Sequence, residues 1–158
     1  MAPPLSQTFT SPTNGISIAY PVGWSTRGAT EPWTTSWPDF HQQTGDVVYD
    51  PTLEDHLFIA VSSQPLAGKD GGQWASDTLA LEDCIPSAPV TIDGATGLIG
   101  VGCDAAAVSL DGRGYLVVLY TSGDEAWLAD VYNRAWFEQL LATIDLQPED
   151  AASPAPSR

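Results

Sequence analysis

The sequence predicts an α+β fold: an antiparallel β-sheet flanked by helices, an α/β/α sandwich. Three observations carry this. Turn dipeptides sit between apolar runs at Asn14-Gly15, Asp93-Gly94 and Asp111-Gly112, the pattern of sequential hairpins. Two amphipathic segments open with capping-box spacing, at Asp70 to Gln73 and Ser122 to Glu125. No strand leads through a glycine-rich phosphate loop into a helix, as a parallel βαβ unit would require.

In chain order, a strand around Thr8–Thr10 pairs with "ISIAY" through Asn14-Gly15, read as a type I′ turn. Ile16, Ile18 and Tyr20 alternate with small residues, so one face is expected to be buried. Pro21-Val22-Gly23 turns the chain, and Trp24 opens a third short strand; Gly23 permits the turn and Tyr20 and Trp24 are expected to fill core. Residues 28–55 show no clear period and are read as a long loop. "HLFIAVSSQ" is a central strand from His56 to Gln64, followed by a helix from Asp70 through Trp74, Thr78 and Leu81 to about Asp83. Two hairpins follow, one through Asp93-Gly94 and one through residues 111–114. A final helix begins at Ser122 and carries Trp136, Phe137, Leu140, Leu141 and Ile144 on one stripe. Residues 1–7 are expected to be a flexible lead, 8–146 one domain, and 147–158 a flexible Pro/Ala/Ser-rich tail.

The two cysteines add a constraint. The register that sets Ile92 opposite Ala95 and Val90 opposite Gly97, extended outward, sets Cys84 level with Cys103. Pro86 and Pro89 lack N–H donors and are expected to interrupt the ladder, so alignment holds to within a residue or two. A disulfide closing this loop would add about 3 kcal/mol and implies an oxidising compartment; two reduced, buried thiols are the alternative. The spacing is not that of a metal site or a redox C-x-x-C motif.

Composition narrows the function. The formal charge of −15 arises from 20 acids against only five bases, Arg27, Lys69, Arg113, Arg134 and Arg158. So few cations argue against a nucleic-acid partner and against anionic membrane surfaces. No apolar run approaches the roughly 20 residues that span a bilayer. The opening "MAPPLSQ" has no charged n-region and h-region, and reads as the lead of a secreted or envelope domain whose targeting segment lies outside this chain; a cytoplasmic origin is the alternative.

With these elements in place, "FTSPTNGISIAYPVGW", "HLFIAVSSQPL" before a Gln-Trp helix start, and "RGYLVVLYTS" before the last helix together resemble the PsbP-like fold family, as found in secreted bacterial domains and lipoproteins. The resemblance is one of pattern and order over residues 8–146. It implies a central antiparallel sheet with helices on both sides, and a non-catalytic accessory or binding role. The lead lacks the basic residues of the photosynthetic members, which argues against a photosystem role. A Gly-x-Trp opening also occurs in lipocalin barrels, but two strong helix signals argue against a barrel.

Candidate chemistry concentrates in the long loop, where Trp33, Trp37, Asp39, Phe40 and His41 cluster. Aromatic faces beside hydrogen-bonding acids hold sugars or extended peptides, and the cluster is the expected binding region. The competing reading folds Trp33 and Trp37 inward as a plug for the sandwich. Trp74, Trp127 and Trp136 lie at core spacing on helices. His56 is expected to bond a neighbouring acid; with His41, Asp46, Asp50 and Glu54 it could form an oxygen-rich cation site, but no regular ligand spacing supports a metal. No hydrolase motif appears, and the glycines of "GATGLIGVG" run along a strand rather than into a helix. The sequence thus points to a cofactor-free, non-enzymatic module recognising a protein partner through residues 30–55. A carbohydrate or cell-wall binder is the first alternative and a hydrolase with unrecognised machinery the second.

Overall fold

The computed structural model describes residues 2–34 and 44–152. Its strands form two antiparallel sheets. A three-stranded sheet has the order β1 (Leu5–Ser11), β2 (Ile16–Pro21), β10 (Asp145–Leu146). A seven-stranded sheet has the order β3 (Ser25–Arg27), β4 (Asp46–Tyr49), β5 (Leu57–Pro65), β9 (Arg113–Thr121), β8 (Ala105–Leu110), β7 (Ala95–Gly100), β6 (Ser87–Ile92). Three helices, α1 (Gly71–Leu81), α2 (Ala126–Val131) and α3 (Arg134–Leu141), complete the sandwich.

The large sheet is covered on both faces, and alternation along its central strands divides the core in two. Ala60, Ala105, Ala107 and Leu116 point to one face, where α1 brings Trp74, Ala75 and Leu79. Leu57, Ile59, Val61, Ala106, Val108, Val117 and Leu119 point to the other, against Ile16 and Ile18 of the small sheet and Phe137, Leu140 and Leu141 of α3. The alanines under α1 let helix and sheet approach closely; at Gly114 an added Cβ would lie 2.7 Å from the Trp74 ring.

The turns show which dipeptides act as read. Asp93-Gly94 has φ 48° and 80°, and Asp111-Gly112 has φ 51° and 79°, the paired left-handed values of a type I′ turn. The second is therefore a two-residue turn, and Arg113 and Gly114 belong to β9, with Leu110 opposite Arg113. Asn14-Gly15 is different. Ser11 pairs with Ile16, so the loop is residues 12–15, and only Gly15 has positive φ. Asn14 keeps an ordinary backbone because its side chain is needed inside, as shown below.

Four further corrections concern β4, Pro89, the last helix and the termini. Strand β4 lies within the segment read as loop. Its Val47 and Val48 are both buried, one on each face of a doubly covered sheet, so period-two alternation is lost. Pro89 does not interrupt its ladder: it sits opposite Leu98 with the register intact, because β6 is the edge strand, where an absent N–H need not leave a broken bond. The single C-terminal helix is two. Asn133 adopts an extended backbone and accepts a hydrogen bond from Trp136 N at 3.1 Å, capping α3 and ending α2. Ser122 receives its bond from Asp124 N, so the expected capping box is not formed. At the termini, β1 begins at Leu5, within the expected flexible lead. Gln147 N donates to Gly15 O and Ala152 N to Pro12 O, tying the start of the expected tail to the β1–β2 loop.

Candidate functional site

The disulfide is formed between Cys84 and Cys103, with Cα atoms 5.8 Å apart. The hairpin register holds out to Ser87 opposite Gly100, and Val101 N donates to Pro86 O one step further, which delivers the two cysteines to each other. A disulfide forms and persists under oxidising conditions.

This bridge fixes one wall of a groove of about 390 Å³. Residues 101–104, between β7 and β8, form that wall; Ala129 and residues 132–134, at the α2–α3 break, form the other. Arg134 locks the walls together. Its Nε donates to Asp104 Oδ1 at 3.0 Å, and one Nη donates to the carbonyls of Gly100 at 2.7 Å and Cys103 at 2.6 Å. Asn133 Nδ2 donates to Asp130 O, holding the helix break. Beneath it, Tyr132 meets Trp136 edge-on at 4.8 Å, and Trp24 packs on both rings. Burial, with Asp50 nearby, pushes the Tyr132 phenol above its ordinary range.

The rim is apolar and faces water. Val101, a lining residue, is 53% exposed, and Ile85, next to Cys84 at the same end of the β6–β7 hairpin, is 67% exposed. The groove's charged pair is engaged with itself and with backbone, so what the groove offers a ligand is shape and apolar surface. Nothing in the sequence marked it, because it joins segments about 30 residues apart and depends on a helix break that the periodic stripe conceals. The exposed pair was readable in part: Ile85 and Val101 flank the cysteines but fit no buried face.

Of the residues singled out earlier, Trp33 lies in the core. It is 1% exposed and packs against Trp74 at 6.1 Å, the inward alternative, so its ring offers no open face. Trp37, Asp39, Phe40 and His41 lie outside the described residues. Trp74 and Trp136 are buried, as their spacing indicates, but Trp127 is 48% exposed, its indole donating to Glu125. On α2 it is Leu128, the next residue, that turns inward. His56 does not find the expected acid: its Nδ1 is buried without a partner. Among the described residues, no three His, Cys, Asp or Glu side chains converge as a metal site would require. No described helix is long and apolar enough to cross a membrane.

A separate polar network lies inside the sandwich. Asn14 Nδ2 donates to Asp46 Oδ2 at 2.7 Å, and its Oδ1 accepts from Ser63 N at 2.9 Å. Ser63 Oγ donates to Asn14 O, and Arg113 Nε donates to Ser63 Oγ at 2.9 Å. All four side chains are buried, and Asp46 also accepts from Ala29 N. Their bonds join the β1–β2 loop to β4, β5 and β9, so the network holds the small sheet on the large one.

No protein-family model matches the chain, and a search of curated proteins finds no similar sequence. Among solved structures, the chain is similar to cyanobacterial PsbP (CyanoP) from Synechocystis sp. PCC 6803. The two share 15% sequence identity with a TM-score of 0.56, over 89% of this chain and 91% of that one. At that identity the likeness speaks to architecture alone: the chain has the PsbP-like fold.

Proposed function

We propose that this chain is a non-catalytic, extracytoplasmic binding module that docks a protein partner at the groove beside Cys84–Cys103. One observation carries the reading: the lining residue Val101, with Ile85 beside Cys84 at the same hairpin end, exposes apolar surface on a wall made rigid by a disulfide and by the three-way hold of Arg134. Apolar surface held rigid next to a concavity suits recognition, because little ordering entropy remains to be lost on binding. The disulfide supports the extracytoplasmic placement. The PsbP-like fold, whose members are generally accessory proteins, supports the non-catalytic role.

The segment 30–55 remains part of the proposal as a second contact region, through Trp37, Asp39, Phe40 and His41. A carbohydrate ligand would have to rely on these residues, since Trp33 is enclosed.

Site-specific photo-crosslinking separates these surfaces. A benzophenone side chain is placed at Val101, at Phe40 or at the exposed control Val22, and the chain is expressed in its native envelope. The groove reading expects one dominant protein adduct from position 101 and none from position 22. An adduct from position 40 alone moves the contact to the long loop. Equal labelling from all three positions, or none from 40 and 101, overturns the proposal.

A further inference from the structure

The groove's own charges, Asp104 and Arg134, cancel, so its electrostatic setting depends on the acids and cations around it. Of the five cations, Arg158 is outside the described residues and Arg113 is buried in the polar network. Arg27 is on β3, at the opposite edge of the seven-stranded sheet from β6 and β7. Lys69 follows Leu66, whose N–H donates to Gly112 O; that places it beside the β8–β9 turn, at the far end of β8 from Asp104. Arg134 alone remains near the groove, and it is committed to Asp104 and two carbonyls.

The acids are distributed otherwise. Asp130 is exposed and adjoins the lining residue Ala129. Glu82 and the exposed Asp83 directly precede Cys84, which is bonded to the lining residue Cys103. Burial, and secondarily the neighbouring Asp83, raise the Glu82 pKa.

From this placement, and resting on the docking role proposed above, we infer that the groove's occupant is a basic, extended segment of the partner protein, with aliphatic side chains on Val101 and Ile85 and lysine or arginine side chains directed to Asp83 and Asp130, the acids that adjoin the two walls in sequence. The apolar contacts anchor the segment. The carboxylates raise its rate of encounter and disfavour acidic competitors. Long cationic side chains suit such a site because their stems lie along apolar surface while their heads reach the rim.

The test uses the full chain and three short labelled peptides, alternating leucine with lysine, serine or glutamate, followed by fluorescence anisotropy. The lysine peptide is expected to bind, weakening more than about tenfold between about 20 and about 300 mM salt as the rim charges are screened. Val101→Lys should weaken it at least about tenfold, whereas Val22→Lys, which adds the same charge at an exposed site between β2 and β3, should change it by about twofold or less. Circular dichroism confirms that both variants fold. Equal loss from the two substitutions would mean diffuse attraction to an acidic surface and overturns the inference, as does failure of the lysine peptide to bind. A serine peptide that binds as tightly and stays sensitive to Val101→Lys removes the basic occupant but leaves the docking groove standing. A silent cross-linker at position 101 removes the groove itself.

Discussion

Asn14 and Asp46 lie 32 residues apart and meet at 2.7 Å, amide to carboxylate, in the interior between the two sheets. Each supplies what the other lacks: Asp46 is 1% exposed and has no cation among the described residues within ion-pair distance, and Asn14 brings it a donor from the β1–β2 loop. The same Asn14 accepts from Ser63, so one side chain links a loop of the small sheet to two strands of the large one.

Asn14→Ala should therefore destabilise the protein by about 3 kcal/mol or more, because it leaves a buried carboxylate with the Ala29 N–H as its remaining donor and strips Ser63 N of its acceptor. Urea unfolding followed by tryptophan fluorescence measures it. A loss below about 1 kcal/mol would mean that water replaces the amide and that the network is not what joins the sheets.

Reduction of Cys84–Cys103, or the double substitution Cys84→Ala with Cys103→Ala, should lower stability by about 2–4 kcal/mol, given a sequence separation of 19 residues. The groove wall should loosen first. Amide exchange at residues 100–104 is expected to accelerate before the β5–β9 ladder is affected, by mass spectrometry with and without reductant.

Tyr115 predicts an alkaline limit. Its hydroxyl is buried without a partner, and desolvation raises its pKa well above the ordinary 10.0, with Glu149 and Asp111 adding to the rise and Arg113 opposing it. The unfolded chain loses this proton from about pH 10 while the folded chain keeps it, so stability is full below that pH and declines as pH rises above it. Tyr115→Phe should flatten the decline and, at neutral pH, leave stability unchanged or raised by about 1 kcal/mol, since it deletes an unpaired polar atom. Thermal melts between pH 7 and about 11 decide the matter; an unaltered alkaline slope would show that other groups set it.

Gly114→Ala should cost about 2–3 kcal/mol, since the new methyl would stand 2.7 Å from the Trp74 indole and the backbone of a central strand has little room to yield. Trp74 must shift, and with it the 2.8 Å bond from its Nε1 to Gln64, so a change in near-ultraviolet circular dichroism should accompany the loss.

Local chemistry decided much of this molecule without reference to long-range contacts. Asp93-Gly94 and Asp111-Gly112 dictate two-residue turns because those residues accept left-handed backbone, and the first turn sets a register that carries Cys84 to Cys103. Asp70 dictates the start of α1 by receiving Gln73 N. Tertiary context decided the rest. Asn14 resembles a turn residue, yet its side chain is drawn inside by Asp46 and Ser63, partners that only folding brings near. The apolar stripe after Ser122 reads as one helix, but the Asn133 cap splits it, and that break forms one wall of the groove. Strand β4 and the rim at Ile85 and Val101 escape sequence periodicity for one reason: periodicity reports a single buried face, whereas β4 is buried on both faces and the rim on neither.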